Sequence, residues 1–289
     1  MKPAPFSLAR PRTVEDAVAL LASEEGVALP LSGGQSLIPL LNARLVRPDL
    51  VVDLNRIDDL AGFDAQDERI VLRALCRHSE LAAQLGVGAR LPILAEAMRF
   101  VGSPATRSRG TVGGSLAHAE PSAELPAIAL LLDGKIRLAT LHDVLELRVA
   151  EYQADWARRE TRPHVVTALT LHRPKESSTW GFAEISRGFG MGNSSLCGVV
   201  LEHRSRSVRK VSIVVAGANL PARRLADLED RLVGLRTSGS LPDDAIHAAV
   251  AGLQLADDPL RGSAAYLRSA FERVVVDALE SARARLGEA

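Results

Sequence analysis

The chain has 289 residues, 47% hydrophobic and 24% charged, with 35 basic and 35 acidic side chains that cancel to zero formal charge. That is ordinary globular composition with apolar mass for two or three subdomains, and together with an aromatic content of only 3% it speaks against a nucleic-acid surface or a base-stacking platform. No apolar run reaches the roughly 18 residues of a membrane span, and Met1 to Arg12 lacks the apolar centre of a signal peptide, so a soluble, cytoplasmic protein is expected.

In chain order, Pro5 to Leu8 reads as a short strand. Thr13 caps a helix whose apolar face is Val14, Ala17, Val18 and Leu21, spaced i, i+3, i+4, i+7. Val27 to Leu31 is a strand running into Ser32-Gly33-Gly34-Gln35-Ser36, after which Ser36 is placed to cap a short helix with Pro39 in its first turn. Leu50 to Leu54 and Ile70 to Leu75 are strands by composition. His78 to Leu85 and Ile93 to Phe100 read as helices, the second ended by Gly102 and Pro104. Arg107-Ser108-Arg109-Gly110 then leads into Thr111-Val112-Gly113-Gly114-Ser115. Ala127 to Leu132 is a helix with Gly134 just past its end, and Lys135 to Leu138 a strand. Val165 to Leu171, Trp180 to Ile185, Gly198 to His203 and Val211 to Ala216 read as strands of one antiparallel sheet. Helical patterns follow at Leu225 to Leu235, Asp244 to Leu253 and Ser263 to Leu286, which places a separate α+β domain from about residue 175 onward.

The two glycine pairs carry the functional signal. A backbone without side chains approaches a phosphate closely and adopts positive φ, and successive N–H groups in such a turn make a concavity for anions. Two such segments far apart in sequence suit one ligand gripped from two sides, and a pyrophosphate fits that description. Neither segment matches G-x-G-x-x-G or the P-loop. Cys76 and Cys197 are the only cysteines; they are too few for an iron–sulfur cluster and match no zinc spacing, so two buried free thiols and no metal site are expected. No catalytic triad or metal motif is visible, and no catalytic residue is assigned.

The chain resembles the medium, FAD-binding subunit of molybdenum hydroxylases, the xanthine dehydrogenase and carbon monoxide dehydrogenase family. Three blocks carry the resemblance: Ser32 to Leu37 with Arg44-Leu45, Pro48 and Val52-Asp53-Leu54; Val101-Gly102 with Arg107 to Pro121 and Glu124-Leu125-Pro126; and Asp257-Asp258 with Arg261 to Arg268. His78 also falls where the family has a histidine before a helix. The resemblance implies an α+β protein: a two-subdomain, PCMH-type FAD-binding α/β domain over residues 1–174 (subdomains about 1–57 and 58–174), then a C-terminal domain of antiparallel sheet plus helices over 175–289. It implies that Ser32, Gly33, Gly34, Gln35 and Ser36, with Thr111, Val112, Gly113, Gly114 and Ser115, hold the FAD pyrophosphate through N–H groups and small hydroxyls, and that Glu124 contacts the flavin nucleotide. Partners follow from the same resemblance: a large subunit with a molybdenum-pterin cofactor and a small subunit with two [2Fe-2S] clusters, assembled as a dimer of heterotrimers. Electrons would pass from the clusters to FAD and on to an external acceptor.

Several positions depart from the family pattern. Glu120 stands where an aspartate is usual and Ser108 within an Arg-Asn-Arg-Gly form; Asp155-Trp156 is the nearest remnant of an Asp-Phe-Phe stretch. Phe182, Glu184 and Arg187 fit an aromatic–acid–arginine run, but Gly188 to Ser194 is longer than usual and puts Ser194 in place of an aromatic near the flavin ring, with Phe189 or Met191 as candidates to fill the space. His118 is placed either beside the flavin or in a structural turn; Arg107 and Arg109 either assist the phosphates or pair with surface carboxylates. Trp156 and Trp180 read as packing or interface residues, and Tyr266 as core. Two other readings stay open at this level: a stand-alone flavin-dependent oxidoreductase of the same FAD fold, and a scaffold subunit that has lost FAD.

Overall fold

Thr13 fixes where the chain first turns helical: its hydroxyl accepts from the Asp16 N–H at 3.1 Å, leaving the apolar face beyond it free to pack. The computed structural model describes residues 2–23, 26–83, 87–154, 163–186 and 192–287. In chain order it runs β1 (Ser7–Ala9), α1 (Val14–Leu21), β2 (Ala28–Leu31), α2 (Leu37–Asn42), β3 (Leu50–Asp53), β4 (Phe63–Ala65) and β5 (Arg69–Arg73). Then follow α3 (His78–Ala82), α4 (Val87–Arg90), α5 (Pro92–Met98), α6 (Pro104–Arg109), α7 (Val112–His118), α8 (Glu124–Leu131), β6 (Lys135–Ala139), β7 (Val144–Arg148), α9 (Val149–Ala154) and β8 (Val165–His172). The rest is β9 (Ser178–Ser186), β10 (Asn193–Arg204), β11 (Ser207–Gly217), β12 (Leu220–Arg224), α10 (Ala226–Leu232), α11 (Asp243–Ala251) and α12 (Ala264–Ala284). The result is mixed helix and sheet, with an antiparallel sheet and three helices making up its last third.

The chain divides into two compact units, one drawn from Met1–Leu81, Pro104–Ala119 and Asp133–His172, the other from Ala82–Ser103, Glu120–Leu132 and Arg173–Ala289. In the first, β1, β3 and β2 make a parallel sheet in that order, and β4-β5-β8-β6-β7 an antiparallel one. Ala17, Val18 and Leu21 of α1 pack with Val52, Leu54, Ile57 and Leu60 in a shared core. In the second, β12-β11-β10-β9 form an antiparallel sheet. Cys197, Val199 and Leu201 of β10 face Phe271, Val275, Ala278 and Leu279 of α12 in its core. The alternating apolar side chains of β10 and the 21-residue amphipathic α12 make this the natural pairing.

Several expectations are corrected. Val165 to Leu171 was expected in the sheet with Trp180, Gly198 and Val211, but β8 pairs with β5 and β6 in the other unit; a run apolar on both faces does not say which strands flank it. Pro104 opens α6 rather than only ending what precedes it, a position where a missing N–H costs nothing. The second glycine pair does not precede a helix but lies inside the first turn of α7, with Thr111 as its cap. Ser36 stands at the start of α2 but its hydroxyl makes no capping bond. At the end of α8 the left-handed residue is Asp133, φ 49°, rather than Gly134. Tyr266, expected in the core, is 41% exposed. The strands β4, β7 and β12 were not foreseen. Leu85, Asp155-Trp156 and Arg187 to Met191, on which other expectations rest, lie outside the described residues.

Candidate functional site

The first glycine segment follows β2 and bends away before α2. Gly34 takes φ +75°, and a Cβ on Gly33 would stand 2.2 Å from the carbonyl oxygen of Arg109. Only glycine fits either place: one needs the left-handed region, the other a backbone within touching distance of another backbone. Among the described residues, no protein acceptor takes the N–H groups of Gly33, Gly34, Gln35 or Ser36. Four successive donors left open is the arrangement that receives an anion. Ser32, Gly33, Gly34 and Gln35 line a cavity of about 370 Å³ with Leu31, Ile38 and Pro39 on its apolar side and Asp53, Asn55 and Arg109 on its polar side, a volume within the range of small-molecule pockets. Ser36 is beside this lining and not in it.

The second segment is brought to the first by a bond between hydroxyls: Ser32 Oγ and Thr111 Oγ1 are 2.7 Å apart across 79 residues of sequence. Its own N–H groups are committed elsewhere. Val112 donates to Cys76 O at 3.0 Å, Gly113 to Ala74 O at 2.8 Å and Ser115 to Thr111 O at 3.0 Å, while Gly114 donates to Thr111 Oγ1 at 3.1 Å. The expectation that both segments offer N–H groups is therefore corrected: the first offers them and the second spends them inside the protein. What remains is hydroxyl chemistry. Ser32 and Thr111 hold two protons, one of which bridges the pair, so the other is free to donate, and Ser32 is the member that lines the cavity. None of Thr111 to Ser115 lines it.

Below this contact sits His78, 6% exposed. Its backbone N–H donates to Gly110 O at 3.0 Å and its Nε2 lies 3.0 Å from Thr111 O, where only a protonated Nε2 can donate. Burial foremost, with Arg107 and Arg77 nearby, pushes the imidazole down to about 4, so it is neutral and structural. Arg109 lines the cavity and pairs with no carboxylate among the described residues. Burial and the like charge of Arg109 lower Arg77 in turn. The Arg109 guanidinium beside four open N–H groups makes the rim electropositive, and Asp53, the one acid in the lining, is held by Arg10 at 3.5 Å.

Glu124 belongs to the second unit, at the first turn of α8. Its carboxyl faces that of Glu184 of β9. Burial raises both groups, and the neighbouring Glu124 carboxyl adds to the rise at Glu184. Glu184 Oε2 is buried and accepts no hydrogen bond. Asn193 Nδ2 donates to Ser122 O at 2.6 Å, and Arg261 reaches Asp258 at 3.3 Å and Glu120 at 3.5 Å. Asp258 accepts from the N–H groups of Leu260 and Arg261, Asp257 from that of Ala264, and Ser263 from that of Tyr266. The third sequence block is thus a loop that caps α12 and clasps the turn before Glu124. Ser194 is buried in β10. Trp180 is a packing residue under the Arg285 guanidinium, 3.7 Å from the ring centroid. His118 is exposed at the end of α7.

The fold and these contacts can be set against known proteins. A family described as the FAD binding domain in molybdopterin dehydrogenase matches residues 4–171, and one described as the CO dehydrogenase flavoprotein C-terminal domain matches residues 194–282. The chain belongs to the FAD-binding family of molybdopterin dehydrogenases. The 6-hydroxypseudooxynicotine dehydrogenase complex subunit alpha of Paenarthrobacter nicotinovorans is 35% identical over 98% of this chain and 97% of its own. The carbon monoxide dehydrogenase medium chain of Hydrogenophaga pseudoflava is 29% identical over 99% of both chains. In solved structures, reconstituted CO dehydrogenase from Oligotropha carboxidovorans superposes with a TM-score of 0.91 at 29% identity, covering 99% of this chain and 100% of that one. This flavoprotein is accordingly an oxidoreductase subunit whose cofactor is FAD, and its relatives are named as subunits and medium chains of larger enzymes. No helix among the described residues is long and apolar enough to cross a membrane.

Sequence reasoning missed Asn55 and Arg77. Asn55 lines the cavity, and Arg77 bonds both Asn55 and the carbonyl of Arg109. Their only signal in the sequence was position: Asn55 follows the Val52-Asp53-Leu54 block, and Arg77 precedes His78.

Proposed function

We propose that this chain holds the FAD pyrophosphate on its first glycine segment and serves as the electron-transferring medium subunit of a heterotrimeric molybdenum hydroxylase. The observation that carries the reading is the row of four open N–H groups, Gly33 to Ser36, beside a cavity with Arg109 on its rim. These groups fit a diphosphate: donors without acceptors, a cationic side chain in the lining, and two glycines at places that admit no Cβ without strain. In this reading Thr111 donates its hydroxyl proton to Ser32 and so leaves the Ser32 proton for the ligand, while Val112, Gly113, Gly114 and Ser115 anchor the Thr111 segment through their own N–H groups. Leu31, Ile38 and Pro39 exclude water from one side. The assignment of Glu124 to the flavin nucleotide rests on the family resemblance and not on this cavity.

When bound, FAD supplies the coupling of one-electron arrivals to a two-electron reduction of an acceptor. The chain's own part is binding, orientation and electrostatics, and no general base or nucleophile of its own is required. Electrons come from two [2Fe-2S] clusters of a small partner, and the organic substrate is oxidised at a molybdenum-pterin centre in a large one, the whole assembling as a dimer of heterotrimers in the cytoplasm. With Cys76 and Cys197 both buried and free, the described residues provide no cluster ligands, which supports a separate donor. In this reading the FAD-binding part is residues 1–174 and the C-terminal part 175–289, a division supported by family matches over residues 4–171 and 194–282.

The test is cofactor content. Gly34→Asp and Gly114→Asp each put a negative, solvated group where the diphosphate would lie or against its support. FAD per chain is expected to fall at least about tenfold in both; normal FAD content in both sinks the site assignment. The visible spectrum of the co-purified complex tests the wider reading. Flavin with an iron–sulfur background supports it, flavin without one favours a stand-alone flavoenzyme, and a folded, colourless complex favours a scaffold.

A further inference from the structure

Arg77 touches neither the cavity nor any acid across it, yet its guanidinium is the hinge-pin of the site's backbone. Nη1 donates to the carbonyl of Arg109 at 2.6 Å and Nη2 to Asn55 Oδ1 at 2.9 Å. Asn55 passes the connection on: its Nδ2 donates to Ser32 O at 2.8 Å and to Asp53 Oδ1 at 2.7 Å. The amide orientation is fixed by these bonds, because only the nitrogen can donate to Ser32 O and only the oxygen can accept from Arg77. One planar fork therefore ties the carbonyl preceding Gly110-Thr111 to the carbonyl preceding Gly33. The Arg109 carbonyl is also the atom that a Cβ on Gly33 would strike, so the bond holds the surface on which Gly33 rests. The main chain of Arg77 is fixed as well, by a bridge to Thr111 and by its N–H donating to Glu80 Oε2 at 2.6 Å.

We propose that Arg77, acting through Asn55, is a positioning residue that locks the Ser32-Gly33 and Arg109-Gly110-Thr111 segments in register and so pre-organises the open N–H row for the cofactor's diphosphate. The proposal rests on the FAD-site reading above. Its physical content is geometric. A guanidinium offers several donors in a rigid plane, whereas a lysine ammonium is a point charge that cannot reach both acceptors in that fork. Pre-organisation improves affinity by removing the ordering cost from the binding step. The two bonds are partly exposed, so their joint loss is expected to weaken FAD about tenfold rather than abolish it.

The experiment uses the full chain, stripped of cofactor and titrated with FAD by flavin-fluorescence quenching, with the melting temperature of the apo chain recorded beside each titration. Arg77→Met, Arg77→Lys, Asn55→Ala, the double variant Arg77→Met/Asn55→Ala, Gly34→Asp and Gly114→Asp are compared with the parent. Expected are FAD affinities about tenfold weaker in both Arg77 variants and in Asn55→Ala, a double variant no weaker than the singles because all break one connection, and an apo melting temperature that does not track the affinities. Should Arg77→Met fail to fold, Arg77→Lys and Asn55→Ala carry the same comparison. Parent-like FAD binding by Arg77→Lys, or additive losses in the double variant, overturns the brace. Retention of FAD by both Gly114→Asp and Gly34→Asp overturns the site reading itself, while loss of FAD there with parent-like Arg77 variants overturns the brace alone.

Discussion

At the residue scale, the hydroxyl pair Ser32–Thr111 separates two duties that adjacent side chains share. Thr111 is 2% exposed and caps α7 through Gly114 N–H, so it works for stability first. Ser32 lines the cavity and works for the ligand first. Thr111→Val removes the cap acceptor and strands the half-buried Gly114 N–H, with an expected loss of about 1–2 kcal/mol in chemical denaturation. Ser32→Ala leaves the cap intact, so its stability is expected within about 0.5 kcal/mol of the parent while FAD affinity drops severalfold. Equal effects of the two on stability would contradict the division. The glycine pairs were legible because a backbone without side chains suits close approach to an anion, and two such pairs far apart in sequence suit one ligand. Asn55 and Arg77 were not, because an asparagine and an arginine gain their roles only from partners 22 and 32 residues away, and alone they read as solvated surface.

At the element scale, short amphipathic pieces with caps were legible and edges were not. Thr13 before α1 and Ser263 before α12 announce themselves through the N–H groups they accept from. β7 is exposed along nearly its whole length and β4 has only three residues, so neither shows the alternation that marks a half-buried strand. The meeting of α8 and β9 also escaped sequence reading, since Glu124 and Glu184 lie in different motifs. It gives a pH prediction. Both carboxyls are raised, to about 7 and about 8, so over the range from ordinary carboxylate titration up to those values the folded chain binds more protons than the unfolded one. Stability from this pair is complete at low pH and is lost as pH rises through the folded values. Glu184→Gln keeps the side-chain shape and removes one charge. Its unfolding free energy is expected to fall less than the parent's between about pH 6 and pH 8.5, by on the order of 1–3 kcal/mol at the alkaline end. Parallel curves for parent and variant would show that folding does not raise the Glu184 carboxyl.

At the scale of the whole molecule, sequence order and packing order part company, and this decides what can be cut. Residues 82–103 and 120–132 precede the C-terminal sheet by up to a hundred positions, yet they belong to its compact unit. The contact is direct: a Cβ on Gly198 of β10 would stand 3.0 Å from Leu131 and 3.2 Å from Ile128 of α8, with Ile93 of α5 at 3.9 Å. No chain-order reading could find this, because α8 is apolar on every side and such a helix states only that it is covered, not by what. A fragment ending at residue 174 would keep α5 and α8 and lose β10 and β11. It would leave Ile93, Met98, Ile128 and Leu131, each at most 2% exposed in the full chain, with part of their cover gone. At about 1.5–3 kcal/mol for each such side chain, even partial exposure of four of them rivals the net stability of a domain, about 5–15 kcal/mol, and leaves an apolar patch that invites self-association. The fragment 1–174 is therefore expected to aggregate or to sediment as oligomers, although it carries both glycine segments and the Arg77 brace. Analytical ultracentrifugation of the purified fragment with added FAD decides the matter: a soluble monomer that binds FAD as tightly as the full chain would show that α5 and α8 do not depend on the C-terminal sheet.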